Sequence, residues 1–253
     1  MPDWHPASHP AMPEVVAHGR TPDVFACGYC HLPNGQGRPE NSSLAGLPVG
    51  YIIQQITDFK TGLRKTSEPR HRPIAAMMTV ASKVSESDVQ AAARYFSSLK
   101  PRRWIRVLET KTVPKTRGSG WMLVPLSTGA TELINHRIIE TRENLERTEL
   151  RDDTSGFIAY VPVGSIKKGE ALVAFGGGGK AIPCTICHGP ALKCLCDVPP
   201  ILGRSPSYIV RQLYDIKRGE RAGVRSQLMR PVLARLSVDD MVSIAAYTAS
   251  LNP

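Results

Sequence analysis

No stretch of the 253-residue chain is apolar for long enough to cross a membrane as a helix, so nothing in it reads as a membrane span. The first twenty residues, punctuated by Pro2, Pro6, Pro10 and Pro13, lack the apolar core of a leader peptide. The glycine run at 176–179 lacks the Lys-Ser/Thr that completes a phosphate-binding loop. Acidic residues are in short supply, 22 against 32 Lys and Arg, which leaves a net charge of +10. A basic surface can meet nucleic acid, but no recognition motif accompanies this one, and no nucleic-acid partner is expected. The remaining composition, 42% hydrophobic and 21% charged, is that of a globular chain long enough for two domains.

Cysteine is absent from the whole middle of the chain, and four of the six fall in two identical patterns. These are Cys27-Gly28-Tyr29-Cys30-His31 and Cys184-Thr185-Ile186-Cys187-His188. The 157-residue offset between them persists downstream. Leu44-Ala45-Gly46 matches Ile201-Leu202-Gly203, and Tyr51, Gln55, Asp58 and Gly62 match Tyr208, Gln212, Asp215 and Gly219. Five residues then drop out, and at an offset of 152 Met77 matches Met229, Ser85 matches Ser237, and Tyr95 matches Tyr247. One structural unit has been used twice.

Each unit reads as helical. Ile52, Ile53, Ile56 and Phe59 share one helical face, as do Ile209, Val210, Leu213 and Ile216. Gly62 and Gly219 stand where a helix ends in a left-handed residue. Ser85 and Ser237, each with an Asp three residues on, predict capped closing helices. A further helix is expected over 166–175, with a weaker counterpart over 14–19. Residues 104–161 differ: runs such as 105–110 and 157–161 are rich in β-branched residues and predict strands. The fold expected is mainly α, with two tandem units at 1–100 and 164–253 and a β-rich insertion at 101–163.

The C-x-x-C-H pattern carries a specific chemistry. Two thiols three apart can add to the two vinyl groups of a haem, and the adjacent His then supplies a nitrogen to the iron. Zinc is the competing reading, but each motif is matched by a later Met, a poor zinc ligand. The chain resembles the class I cytochrome c family, and more closely its two-haem, "c-four" members, over about 15–100 and 164–253. That resemblance implies two covalently bound haem c groups held by Cys27, Cys30 and His31 and by Cys184, Cys187 and His188. It also implies distal ligands eight residues before the closing-helix Ser, at Met77 and Met229, with Met78 the alternative in the first unit. The family's Pro four residues before a Gly, whose carbonyl holds the proximal His, is matched by Pro199 but replaced by Ser42 in the first unit.

Several residues stay open at this point. Arg64 and Arg221 are candidates for haem propionates or for solvated surface. His5, His9, His18, His71 and His136 have no partner at ligand spacing and read as surface. Cys194 and Cys196 could form a strained small-ring disulfide, stay free, bond another chain, or offer a haem ligand. The insertion has no Cys, and its His136 and Met122 have no repeat counterparts, so it is expected not to touch the iron sites.

The resemblance implies an electron carrier rather than an enzyme, working between periplasmic or membrane redox partners, with a leader peptide expected outside this chain. Two other readings are an electron-transfer subunit of a membrane dehydrogenase or oxidase complex, and a two-haem enzyme such as a peroxidase or thiosulfate oxidoreductase. Residues 163–253 hold twelve Lys and Arg against six Asp and Glu. This predicts a docking side for an acidic partner in the second unit, with Lys217, Arg218 and Arg221 as candidates.

Overall fold

The computed structural model describes residues 1–193 and 197–253; Cys194 and Cys196 lie outside the described residues. A 3-10 turn, Pro6–Ser8, leads into α1 (Glu14–Ala17), α2 (Cys27–His31), α3 (Val49–Lys60), α4 (Arg72–Lys83) and α5 (Glu86–Ser98). Seven short strands follow: β1 (Ile105–Thr110), β2 (Thr112–Pro114), β3 (Thr116–Ser119), β4 (Met122–Pro125), β5 (Thr131–Leu133), β6 (Ile139–Arg142) and β7 (Phe157–Pro162). A short helix, α6 (Leu145–Glu149), separates β6 from β7. The chain ends in α7 (Ser165–Gly179), α8 (Thr185–His188), α9 (Pro206–Arg218), α10 (Val224–Gln227), α11 (Arg230–Leu233) and α12 (Val238–Ser250).

The capping pattern forms as the sequence implies. Ser85 accepts from the Asp88 amide at the start of α5, and Ser237 makes a reciprocal capping box with Asp240 at α12. Helix α9 ends on Gly219 in the left-handed conformation; α3 ends one residue earlier, with left-handed Gly62 just beyond it. The regular turns of α7 stop at Phe175, because Gly176, Gly177 and Gly178 all take positive φ. Gly169 lets α7 lie directly on α12, since a Cβ there would sit 2.0 Å from the Ser243 carbonyl oxygen. The two repeats diverge where five residues are missing. In the first, Met77 sits inside the continuous helix α4; in the second, Met229 caps the one-turn helix α11.

The strands form a mixed five-stranded sheet in the order β1-β7-β6-β4-β3, with β2 and β5 paired apart from it. Strands β1 and β7 run parallel with Ile105 opposite Phe157, and β6 runs antiparallel to β7. One face of the sheet buries Trp104, Ile105, Met122, Phe157 and Ala159 together with Leu32, the residue after His31. The Trp104 indole N–H donates to the Gly37 carbonyl at 2.9 Å. Arg151 stacks on the Tyr29 ring and donates to the Tyr29 carbonyl, so the insertion grips the first C-x-x-C-H segment. The insertion, expected not to touch the iron sites, packs directly against this segment and so braces the first unit. Its apolar face needs a partner, and the loop behind His31 provides one.

The two repeats meet through a near-symmetrical polar core. Arg64 donates to Gln55, Tyr208 and Gln212 at 2.9, 3.0 and 3.1 Å. Arg221 donates to Gln212, Tyr51 and Gln55 at 3.1, 2.7 and 2.7 Å. Both arginines are buried, and their backbones form an antiparallel bridge flanked by Lys65 N–H to Glu220 O and Ala222 N–H to Leu63 O, each 2.7 Å. Neither arginine is a solvated surface group. Both Gln carbonyls are shared by the two arginines, so removing one strands a single tyrosine hydroxyl, Tyr208 for Arg64 or Tyr51 for Arg221, at about 1–3 kcal/mol.

Candidate haem sites

In the first unit Cys27 and Cys30 lie on one turn of α2, and His31 follows at its buried end. The His31 ring bonds the Ser42 carbonyl through Nδ1 at 2.8 Å. A carbonyl oxygen can only accept, so the proton sits on Nδ1 and the Nε2 lone pair is left for a metal. The replacement of Pro by Ser42 therefore costs the bond nothing, because the backbone supplies it. Burial pulls the His31 pKa down, with Arg64 adding to the effect against the Ser42 bond, so the ring is neutral. Burial also pushes the Cys27 thiol up to about 12.

Cys27, Cys30, His31 and Met77 all line one open-mouthed cleft, and Met78 does not. The remaining wall is largely apolar, from Leu44, Ile52, Phe59 and Val80. It also draws on distant segments: Trp121 comes from the insertion, and Tyr208, Arg211 and Gln212 come from the second repeat. His71, expected on the surface, is half-buried in this wall, where burial and then Arg211 pull its pKa down to about 4. His9 is corrected in the same way: its side chain is buried and pairs with Asp3 at 3.1 Å. The repeated Tyr and Gln positions did signal these shared walls, but periodicity alone reads them as ordinary core.

In the second unit Cys184 caps α8, and Cys187 and His188 follow on its single turn. The buried His188 bonds the Pro199 carbonyl through Nδ1 at 2.9 Å, the counterpart of the His31–Ser42 bond. Burial lowers the His188 pKa against that bond, so its Nε2 is likewise free to bind. Burial pushes the Cys184 thiol up to about 11. Cys184 and Met229 pack against one apolar cluster built on Leu172, Leu213, Leu233 and Met241. Phe175, Ile182, Ile186, Val224 and Leu228 leave large apolar surfaces exposed close to these residues in the chain. A flat apolar macrocycle would cover such surface. Both donor sets thus fit haem: paired thiols on one turn, a neutral imidazole oriented through Nδ1, and a thioether on the same cleft or cluster.

Arg221, proposed from sequence as a docking residue, is buried in the polar core between the repeats and cannot meet a partner. Arg218 is exposed, whereas Lys217 is half-buried and donates to the Leu236 carbonyl at 2.5 Å.

Paired helical units with buried, carbonyl-held histidines beside C-x-x-C pairs define a protein that carries covalently attached haem at two places. The cytochrome c family model matches residues 20–100. Cytochrome c-554(548) of Halomonas halodenitrificans is 33% identical over 78 residues, 30% of this chain and 94% of that protein. The thiosulfate dehydrogenase electron acceptor of Thiomonas intermedia is 28% identical over 234 residues, 90% of this chain and 80% of that one. Cytochrome c4 of Stutzerimonas stutzeri is 24% identical over 235 residues, covering 90% and 86%. The crystal structure of reduced cytochrome c4 from Pseudomonas stutzeri superposes with a TM-score of 0.59 at 22% identity, covering 96% of this chain and all of that one. The chain belongs to the cytochrome c family. It is a cytochrome c4-like, two-haem electron-transfer protein with covalently bound haem c. Among the described residues, no helix is long and apolar enough to cross a membrane.

Proposed function

We propose that the chain relays electrons between extracytoplasmic redox partners, with one haem in each of the units 1–100 and 164–253. In this reading Cys27, Cys30 and His31 would hold the first haem, with Met77 supplying a further ligand to its iron. Cys184, Cys187, His188 and Met229 do the same for the second. The observation that carries the reading is the cleft that gathers Cys27, Cys30 and His31 of α2 and Met77 of α4. Haem iron supplies a one-electron centre when bound, and a soft thioether ligand favours its reduced state. The protein's own part is to orient each imidazole through Ser42 and Pro199, to exclude water with the apolar walls, and to hold the two units together through Arg64 and Arg221.

Haem attachment at C-x-x-C-H places the protein in the periplasm in this reading. The partner is a redox protein with an acidic docking face or a membrane respiratory complex. The relative of 28% identity, named as an electron acceptor of thiosulfate dehydrogenase, favours a second reading in which a dehydrogenase donates the electrons. The ligand set is tested by the visible and near-infrared spectra of Met77→Ala and Met229→Ala. Each variant is expected to turn one haem high-spin and to leave the other low-spin. Retention of both low-spin signatures would overturn the assignment. A response confined to Met78→Ala or His71→Ala would move the first distal ligand to that residue.

A further inference from the structure

The loop between α6 and β7 lays two adjacent carboxylates, Asp152 and Asp153, against the N-terminal segment. His5 Nε2 stands 3.1 Å from Asp152 Oδ1. One ligand atom from each of His5, Asp152 and Asp153 lies within 4.8 Å of the other two. Asp153 supplies the independent observation. It is 3% exposed, yet neither carboxylate oxygen has a hydrogen-bond partner among the described residues. Only its backbone carbonyl is engaged, by Asn34 Nδ2 at 2.5 Å. Buried carboxylates without donors are costly, and metal coordination is one of the few ways to satisfy them.

The neighbouring side-chain donors do not fill this role. Arg147 Nε is engaged with Asp152 Oδ2 at 2.7 Å, and His9 Nε2 with Asp3 at 3.1 Å. Thr154 donates its amide and hydroxyl to Asp152 Oδ1 at 2.9 and 2.6 Å, which orients that oxygen beside His5. Ligands about 2.0–2.2 Å from a tetrahedral ion stand roughly 3.3 Å from one another. The His5–Asp152 edge already has that length, and Asp153 has only a short distance to close.

We propose that His5, Asp152 and Asp153 bind a divalent first-row transition-metal ion of the zinc class. One imidazole and two carboxylates suit such an ion and leave it an open position for water. The site is distinct from both haem sites, and the partly exposed His5 ring gives it access to solution. Its effect is to clasp the N-terminal segment to the loop that holds Tyr29. Trp4 already donates to the Leu150 carbonyl at 2.8 Å, and Arg151 stacks on Tyr29, so the ion would tighten a connection that leads to the first haem segment.

The test uses the two-haem protein, stripped with EDTA and titrated calorimetrically with zinc chloride at neutral pH beside His5→Ala and Asp153→Asn. The wild-type protein is expected to show one site that each variant weakens by about tenfold or more. Zinc should raise the melting temperature of the wild type and not of His5→Ala, with both haem spectra unchanged. Equal zinc affinity and stoichiometry in wild type and His5→Ala would assign the binding to surface histidines and overturn the proposal, as would no binding at all. If Asp153→Asn fails to accumulate with both haems, His5→Ala decides alone, since its ring is partly exposed.

Discussion

Arg204 donates through Nη1 to the Ser43 carbonyl at 2.8 Å, one residue past the carbonyl that holds His31. Its Nε donates to the Pro200 carbonyl, also at 2.8 Å, one residue past the carbonyl that holds His188. A third bond, from Nη2, reaches the Ala45 carbonyl at 3.2 Å. A single buried guanidinium thus ties the proximal loops of both units together. Burial pulls its pKa down to about 10, which still leaves it charged at neutral pH.

Arg204→Met is expected to strand these carbonyls and to lower global stability by about 2–4 kcal/mol, read from urea unfolding. Both haem potentials should move, because each imidazole's carbonyl sits in a loop that Arg204 braces one residue further on. Arg204→Lys keeps the charge and at least one bond, so it should restore part of each effect. Unchanged potentials in Arg204→Met would show that the two loops hold their histidines without it.

The insertion is expected to be needed by the first haem and not by the second. Trp104→Ala removes the bond to Gly37 and a large part of the shared apolar cluster, at a cost of about 3–5 kcal/mol. Replacing residues 104–162 with a short linker should cost the first haem its low-spin spectrum and spare the second. Two intact low-spin spectra after that replacement would return the insertion to a purely external role.

Asp240 gives a pH signature. Burial raises its pKa, but Lys180, the Ser237 amide, Lys168 and the Ser237 hydroxyl outweigh burial and hold it well below the usual carboxylate range. A depressed native pKa contributes stability that is present above the unfolded value near 4 and is lost as pH falls through the native one. Asp240→Asn should therefore destabilise the protein by about 1–2 kcal/mol at neutral pH. The gap between variant and wild type should begin to narrow below about pH 4. A pH-independent gap would tie the loss to packing rather than charge.

Docking through the second unit now rests on Lys217 and Arg218, with Arg221 removed from the surface set. Charge reversal at these two positions should slow electron exchange with an acidic partner severalfold at low ionic strength and have little effect at high salt. The same change at Arg221 would break the inter-unit core and so report on folding. Rates indifferent to both salt and the paired reversal would place docking elsewhere.

Local signals carried far in this chain. The C-x-x-C-H pairs, the capping Ser85 and Ser237, the halt of α7 at Phe175 and the β character of 105–162 all follow from short-range pattern. What sequence could not show is tertiary. The His31–Ser42 bond uses a backbone carbonyl, so the side chain at 42 says nothing about it. Arg64, Arg221 and Arg204 look like surface residues until the repeats are placed together. Helix α4 has a hydrophobic stripe like its neighbours, but the five-residue gap hides where its counterpart breaks into α10 and α11. His71 was misplaced because only the assembled cleft shows what it faces.

The Arg64–Arg221 contact is isologous: each residue on one side finds its own repeat counterpart on the other, as in a two-fold homodimer. A surface of that kind recognises itself. The covalent link between the repeats therefore converts a concentration-dependent association into an intramolecular one, with the insertion as tether. It also freed the halves to diverge, since a fused pair need no longer be identical: one half keeps a continuous helix α4, the other a broken one.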